Sequence, residues 1–309
     1  MTAERRNILV IKLSALGDFV QAMGPCAAIR RAHDTAYITL LTTGPYVEFA
    51  QASGYFDEIW THRRPRWWQA GAWLALKKQI DGGRFDRVYD LQTSDRSSFY
   101  YRLLRRPKPE WSGIAAGCAL PHANPRRDFM HTIERQREQL NMAGIDDVPL
   151  PNFDWIESGT DGFGLPERFV MLVPGGSAGR PGKRWSVTGF VELAERLLAR
   201  DLVPVLLGAA DEADRNAQIS AACPGAVNLT GKTSILDIAR LARRAAGAVG
   251  NDNGPMHLIA ASGSPSLVLY SHESDPALCA QRGPDVEILR RELLDTLTAD
   301  EVEAAMRLR

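Results

Sequence analysis

Short, almost wholly apolar runs alternate along the chain with longer segments in which apolar residues recur every three or four positions. The runs NILVIK at residues 7–12, YITLLT at 37–42 and FVMLV at 169–173 predict buried strands. Further strands are predicted at residues 58–61, 87–91, 203–207, 227–229, 248–250 and 266–270. Helices are predicted at residues 19–32, 47–53, 69–80, 97–104, 130–143, 187–199, 211–222, 234–244, 256–262 and 299–308. Because strands and helices alternate, the pattern indicates an α/β fold with parallel sheets.

The segment at residues 148–164 interrupts this alternation. It contains prolines and glycines without apolar periodicity, so it is predicted to be a domain linker. Two doubly wound α/β domains are therefore expected, at residues 1–155 and 165–309. The last helix begins at a capping box formed by Thr298 and Glu301. Whether this helix packs on its own domain or back on the N-terminal domain is left open.

Composition is typical of a globular protein. Of 309 residues, 45% are hydrophobic and 24% are charged, and the apolar runs are far shorter than the ~20 residues that span a bilayer. The four cysteines have no metal-ligand spacing, which favours reduced thiols and a cytoplasmic protein. Residues 1–150 contain 21 Lys and Arg and 16 Asp and Glu, whereas residues 151–309 contain 16 Lys and Arg and 21 Asp and Glu. The basic half is expected to meet an anionic partner.

Three loops follow predicted strands, where ligands of open α/β sheets bind. They lie at residues 14–18, 174–185 and 251–257. In the third, Pro255 suits the first turn of a helix whose free N–H groups attract phosphate, and His257 adds a donor one turn later. An ordinary strand-to-helix turn with a capping residue accounts for the same pattern.

The loop at residues 174–185 (PGGSAGRPGKRW) is similar to a P-loop but does not satisfy its pattern. Ser177 stands where the first glycine belongs, and Arg184 replaces the Ser or Thr. Lys183 still supplies a positive charge for a phosphate, unless the loop is merely solvated. No GxGxxG opens a helix after either first strand, which disfavours a nucleotide-dependent oxidoreductase.

Asp18 has two interpretations. It lies at or just inside a helix start, where Asp commonly caps the helix. A carboxylate there can instead accept a proton from a substrate hydroxyl. The local sequence does not choose between them, and it contains neither a Ser/His/Asp array nor a histidine cluster that indicates a metal site.

Together the three loops resemble glycosyltransferase family 9, the ADP-heptose:lipopolysaccharide heptosyltransferases. The matching segments are 8–20 (ILVIKLSALGDFV), 174–185 and 250–270 (GNDNGPMHLIAASGSPSLVLY), with a weaker match at 229–241 (LTGKTSILDIARL). They run in the family's order through both halves. The resemblance implies a GT-B fold, in which two Rossmann-like domains face each other across a cleft. The N-terminal domain would hold the acceptor and the C-terminal domain the nucleotide sugar.

The resemblance also implies roles for single residues. Asp18 matches the catalytic base, and Lys183 matches the lysine on the donor diphosphate. The other donor-binding positions are Ser177, Glu212, Thr233, Asp252, Asn253, Gly254 and His257. The family usually has Thr where this chain has Asn253, and either side chain can form the hydrogen bond.

The implied reaction is an inverting, metal-independent transfer of heptose from ADP-heptose to the lipopolysaccharide inner core, on a Kdo–lipid A-type acceptor. No cofactor is expected beyond the nucleotide sugar, and no nucleic acid partner. The protein would be cytoplasmic, with peripheral contact to the inner membrane as an open alternative. A family 9 transferase with another nucleotide sugar or glycan acceptor, or a degenerate transferase fold that only binds, is the competing hypothesis.

A basic, aromatic loop, HRRPRWW at residues 62–68, supplies the expected acceptor contacts. Ser14, Arg63, Arg64 and Arg66 are predicted to bind the anionic acceptor, and the loop's two tryptophans to touch that acceptor or the membrane surface. The alternative is a solvated basic loop with both tryptophans packed beneath it.

Overall fold

A computed structural model of the protein describes residues 5–157, 162–177 and 179–309. The chain divides into two compact units, Met1–Asn152 and Phe153–Arg309. The division falls within the segment predicted as a linker, and residues 158–161 of that segment lie outside the described residues. Each unit is described on its own below.

In the first unit, strands and helices alternate before two short strands follow in succession. The elements are β1 (Asn7–Ile11), α1 (Leu16–Ala32), β2 (Tyr37–Thr42), α2 (Val47–Ala52), β3 (Glu58–Thr61), α3 (Ala70–Gly82), β4 (Arg87–Asp90), α4 (Asp95–Leu103), β5 (Glu110–Gly113), β6 (Leu120–Pro121) and α5 (Thr132–Met142). Within the described residues, the strands form one parallel sheet in the order β3-β2-β1-β4-β5-β6. Leu9, Val88 and Trp111 belong to its apolar core.

The apolar runs predicted the central strands of this sheet, and β2 and β3 have the predicted bounds. The strands β5 and β6 were not predicted. The sequence of β5, EWSG, has one apolar side chain, Trp111, which fills the core, and β6 spans only two residues. Helix α1 begins at Leu16, three residues before the predicted start, so Asp18 lies inside its first turn.

The second unit repeats the same alternation. Its elements are β7 (Phe169–Val173), α6 (Val187–Leu198), β8 (Val203–Leu206), α7 (Ala213–Ala222), β9 (Val227–Asn228), α8 (Ile235–Arg244), β10 (Gly247–Asn251), α9 (Gly254–Ala261), β11 (Ser266–Tyr270), α10 (Pro276–Cys279), β12 (Val286–Arg290) and α11 (Ala299–Ala305). Among the described residues, the strands form a parallel sheet in the order β12-β11-β10-β7-β8-β9.

The second unit contains one strand that the sequence did not predict. The edge strand β12 was missed because its charged side chains, including Glu287 and Arg290, hide the strand pattern. The last helix, α11, contributes to the apolar core of the second unit. Its Val302 joins the core of the second unit together with Trp185 and Phe190.

Each sheet reverses its strand order next to its first strand. In the first unit, β1 lies between β2 and β4, and in the second, β7 lies between β8 and β10. Loops that leave the carboxyl ends of such neighbouring strands diverge and open a crevice between them, which is where open α/β sheets bind ligands. Both loops with the strongest candidate residues start at these points. Over the described residues, no helix is both long and apolar enough to cross a membrane.

Candidate active site

The candidate residues fall into two groups, one in each unit. In the first unit, the loop after β1 is tied to the loop after β4. Gln92 accepts hydrogen bonds at Oε1 from the backbone N–H groups of Leu13 (2.8 Å) and Ser14 (3.2 Å). The buried Lys12 donates from Nζ to the carbonyl of Leu91 at 3.1 Å. These bonds fix the backbone that leads into α1, and no local sequence signal points to Gln92.

Asp18 is exposed in the first turn of α1, and its Oδ2 accepts a hydrogen bond from the Ala15 N–H at 3.3 Å. The capping interpretation therefore describes a real contact of this carboxylate. The same residue also lines a mostly polar cavity of about 220 Å³. Arg127 and Arg135, from α5 and the turn before it, line this cavity as well, and neither was among the predicted site residues.

A buried amine, Lys12, lines this cavity, and a buried acid, Asp90, interacts with it electrostatically. Burial lowers the pKa of Lys12 despite the opposing charges of Asp18 and Asp90. Burial likewise raises the pKa of Asp90 to about 6, although its carboxylate accepts the N–H groups of Gln92 and Thr93. These contacts hold the turn after β4 in place, so Asp90 positions the loop that in turn positions Ser14.

The basic loop at residues 62–68 approaches the loop after β1 in the same unit. The Arg64 guanidinium donates to the Ser14 hydroxyl, so two of the predicted acceptor residues are in contact. His62 supports this arrangement, since its Nδ1 accepts the Arg64 N–H (2.9 Å) and its Nε2 meets the Tyr100 hydroxyl (2.9 Å). Arg63 is exposed nearby.

The two tryptophans of this loop are not packed beneath it, so that part of the alternative interpretation is wrong. Trp67 is 83% exposed and Trp68 is 56% exposed. The Arg66 guanidinium lies over the Trp68 ring, 5.2 Å from its centroid, a cation–π geometry. Trp67 also lines an apolar cavity of about 680 Å³ beside Leu74 and Phe99, two further exposed apolar residues.

In the second unit, one buried side chain holds both ends of the loop after β7. The Nδ2 of Asn251, at the end of β10, donates to the carbonyls of Pro174 (2.7 Å) and Gly175 (3.1 Å). Its Oδ1 accepts the Trp185 N–H at 3.0 Å. The sequence analysis placed Asn251 in the third candidate loop without a role, because its partners lie far away in the chain.

Lys183 and Asp252 meet at this edge of the sheet. The Lys183 ammonium forms an ion pair with Asp252, whose other oxygen accepts from Gln281 Nε2 at 3.1 Å. Burial favours a higher pKa for Asp252, but the hydrogen bond and charge of Lys183 outweigh it and hold this pKa below its usual value. Asp252 is therefore a carboxylate that keeps the lysine charge at the start of α9.

Helix α9 begins at Gly254, two residues before the predicted start. Asn253 is its N-cap, with its side chain accepting the Met256 N–H at 3.2 Å and donating to the Gly175 carbonyl at 3.0 Å. His257 is buried in the first turn of this helix. The helix start and the loop after β7 are thus one connected structure.

Glu212 lies against the same loop. Its Oε2 accepts the Ala209 N–H at 2.9 Å, and burial raises the pKa of this carboxyl. A Cβ added to Gly175 would lie 1.6 Å from Glu212 Oε1, so glycine is what lets this carboxylate approach the backbone. The structure therefore gathers Lys183, Asp252 and Glu212 around the loop after β7.

The other two predicted donor residues lie in loops at the carboxyl side of the sheet. Ser177 is exposed in the loop after β7, next to Ala178, which is outside the described residues. Thr233 immediately precedes Ser234, the N-cap of α8. Their contact with a donor stays a prediction. Within the described part of the chain, no three His, Cys, Asp or Glu side chains are grouped closely enough to hold a metal ion.

Comparison with known proteins gives consistent matches. The family described as glycosyltransferase family 9 (heptosyltransferase) matches residues 73–296. Lipooligosaccharide heptosyltransferase 2 of Haemophilus influenzae is 34% identical over 116 residues, a match that spans 36% of this chain and 33% of that protein.

Two solved structures share the fold of the whole chain. The ADP-heptose lipopolysaccharide heptosyltransferase II of E. coli has a TM-score of 0.81 at 20% identity and covers 97% of each chain. A family 9 glycosyltransferase of Veillonella parvula has a TM-score of 0.82 at 18% identity, over 99% of this chain and 97% of the other. These similarities confirm the GT-B fold class. Since the family match extends over well more than half of its residues, the chain belongs to glycosyltransferase family 9, the heptosyltransferase family.

Proposed function

We propose that this protein transfers heptose, with inversion, from ADP-heptose to an anionic lipopolysaccharide inner-core acceptor of the Kdo–lipid A type. The observation that carries the proposal is the Lys183–Asp252 ion pair at the start of α9, tied to the loop after β7 through Asn251 and Asn253. A preorganised cation beside a helix N-terminus suits the diphosphate of a nucleotide sugar.

The donor half of the reaction needs negative charge to be stabilised on the departing diphosphate. Lys183 has three N–H donors, so it can keep Asp252 and still donate to a phosphate oxygen. The N-terminal end of α9 adds a positive partial charge in the same place. Because these groups are already fixed by hydrogen bonds, they lower the barrier without reorganising during the reaction.

The acceptor half needs a base for the attacking hydroxyl, and Asp18 fills that role in the proposal. The hydroxyl oxygen forms a bond to the anomeric carbon as the bond from that carbon to the diphosphate breaks. The hydroxyl proton passes to the Asp18 carboxylate, and ADP departs with the electron pair of the broken bond. Attack opposite the leaving group inverts the anomeric configuration.

The named relatives support heptose as the sugar. The Haemophilus influenzae protein is described as a lipooligosaccharide heptosyltransferase, and the E. coli structure as an ADP-heptose enzyme. The donor and the acceptor position are proposals for this chain, since the first match covers 33% of its relative and the second is 20% identical. The runner-up is a family 9 reaction with another nucleotide sugar or another glycan acceptor.

The exposed patch of Trp67, Trp68, Leu74 and Phe99 supports contact with a lipid surface. Arg66 lies over the Trp68 ring, and Lys77 and Arg96 line the same apolar cavity. Aromatic side chains flanked by cations suit the interface of an anionic membrane. We propose peripheral attachment through this patch, at the cytoplasmic face of the inner membrane.

The proposed reaction is tested by incubating the purified protein with ADP-heptose and a set of truncated core acceptors. The expected result is release of ADP and a heptosylated product in which NMR shows the inverted anomeric configuration at the new linkage. The same result is expected in the presence and in the absence of EDTA. If another nucleotide sugar is consumed while ADP-heptose is not, the runner-up replaces the proposal. Sedimentation with vesicles of anionic lipid tests attachment, and Trp67→Ser is expected to weaken it without reducing turnover of a soluble acceptor.

A further inference from the structure

The carboxylate of Asp252 is held from two sides. Lys183 forms an ion pair with its Oδ2, and Gln281 donates a hydrogen bond from Nε2 to its Oδ1 at 3.1 Å. Gln281 lies in the segment between α10 and β12 and is only 3% exposed. The proposed reaction gives a role to Lys183 and to Asp252 but leaves this buried glutamine unexplained.

A second buried side chain continues the contact behind Gln281. The hydroxyl of Tyr270, at the end of β11, lies 2.8 Å from Gln281 Oε1, and Tyr270 is fully buried. The same hydroxyl lies 3.3 Å from the Cys279 carbonyl. Tyr270, Gln281 and Asp252 therefore form a continuous buried chain of hydrogen bonds that ends at the Lys183 ammonium. Buried polar networks of this kind are rigid when their members are paired.

The chemistry of the groups fixes the direction of each hydrogen bond in this chain. An ionised carboxylate only accepts, so Gln281 must present its amide N–H to Asp252. Its amide oxygen then faces Tyr270, whose hydroxyl must donate. Burial, together with the negative charge of Asp252, raises the pKa of Tyr270, so the hydroxyl keeps the proton that it donates. The Gln281 amide is thus held in one orientation.

We propose that Gln281, oriented by Tyr270, is a positioning residue that fixes Asp252 and, through it, the Lys183 ammonium in the orientation that binds the donor diphosphate. This inference rests on the proposed function, because it requires Lys183 to contact that diphosphate. One ion pair alone leaves a carboxylate free to rotate. A second, charge-assisted bond on Oδ1 fixes the plane of the Asp252 carboxylate and leaves Oδ2 to the lysine. Gln281 needs no contact with the donor to act in this way.

The test compares Gln281→Met, Gln281→Glu and Tyr270→Phe, with Gln218→Met at an exposed position of α7 as a matched control. Titration calorimetry measures the binding of ADP and of adenosine, which lacks the diphosphate. We expect Gln281→Met to raise the Kd for ADP about fivefold or more, because Asp252 loses a charge-assisted hydrogen bond, and to leave adenosine binding unchanged. The control should bind both ligands as wild type does.

The other two variants separate the parts of the chain. Gln281→Glu keeps the shape of the side chain but places a second carboxylate against Asp252, so we expect the larger loss of ADP affinity. Tyr270→Phe leaves the Gln281 amide free to rotate, and a smaller loss is expected. In turnover assays, the KM for the nucleotide sugar should rise in all three variants, while the KM for the acceptor stays at its wild-type value.

Wild-type ADP affinity in both Gln281 variants would overturn the inference. An equal loss of ADP and adenosine affinity would also overturn it, because it would indicate a structural role. Thermal unfolding identifies misfolded variants, and the milder Tyr270→Phe keeps the test decisive if the Gln281 variants do not fold. If wild type binds no ADP, the proposed function fails. If wild type binds ADP and Lys183→Met weakens that binding while the Gln281 variants do not, only this inference fails.

Discussion

Lys183 and Asp252 form an ion pair between two loops that leave neighbouring parallel strands of the second unit. Asp252 is almost fully buried and Lys183 nearly so, with side chains 5% and 12% exposed. Such a pair is costly to desolvate, which makes it weak support for stability by itself. The function that we assign to this ion pair is to keep a cation fixed at the start of α9.

Replacing Lys183 by Met should therefore separate stability from function. The single variant leaves a buried carboxylate without its cation, and we expect a loss of about 3 kcal/mol in the free energy of unfolding. Adding Asp252→Asn to Lys183→Met should restore most of that stability but none of the transfer activity. Urea unfolding and ADP binding by calorimetry measure the two effects. Full ADP affinity in the double variant would contradict the assigned role of Lys183.

Asn251 should matter for donor binding although it need not touch the donor. Asn251→Ala removes three hydrogen bonds to the loop after β7, to the Pro174 and Gly175 carbonyls and from the Trp185 N–H, which costs about 1–3 kcal/mol. The Gly175 carbonyl keeps its hydrogen bond from Asn253. We expect weaker ADP binding and faster proteolysis of that loop. Asn251→Asp is the matched variant: it keeps the acceptor for Trp185 but cannot donate to Pro174 and Gly175. If both variants bind ADP as wild type does, the loop does not depend on this clamp.

Gly175 offers a steric test of the same loop. Its added Cβ would lie 1.6 Å from Glu212 Oε1, so Gly175→Ala must displace the carboxylate or the backbone. We expect at least a roughly tenfold higher KM for the nucleotide sugar and a lower melting temperature. Gly179→Ala, in the same loop with open space around its Cβ, is the control and should behave as wild type. Equal effects at the two glycines would refute the steric explanation.

His62 predicts a pH dependence of stability in the first unit. Burial, followed by the charges of Arg96 and Arg64, lowers the pKa of His62 to about 4, and its Nδ1 must stay unprotonated to accept the Arg64 N–H. The unfolded chain, with an ordinary pKa of about 6.5, binds the proton more readily. The contribution of His62 to the free energy of unfolding is therefore fully present above pH 6.5 and is lost as the pH falls toward 4.

His62→Asn should make the free energy of unfolding less dependent on pH, since Asn can still accept the Arg64 N–H but takes up no proton. Between wild type and variant, the pH-dependent part of the free energy of unfolding is expected to differ by about 2 kcal/mol at pH 5. Denaturant unfolding from pH 7 to pH 4 measures it. Parallel curves for the two proteins would show that His62 is not the titrating group.

The sequence predicted features that are local and missed those that join distant segments. Apolar runs marked the buried strands β1, β2 and β7, whereas β5 and β12 escaped because their charged or polar residues break the pattern. Lys183 and Asp252 were each identified within a loop, but their pairing was not. Gln92, Asn251, Arg127 and Arg135 were missed because each acts through neighbours brought close only by the fold. Spacing along one chain does not encode such contacts.

The most direct test of the proposed reaction is the turnover of Asp18→Asn. Asparagine can still accept the Ala15 N–H, so the helix cap and the folded structure should survive. We predict that kcat falls by about 10²-fold or more, while ADP affinity and the melting temperature stay at wild-type values. An Asp18→Asn protein that transfers sugar at the wild-type rate would contradict the account, because the reaction would then need no proton acceptor at this position.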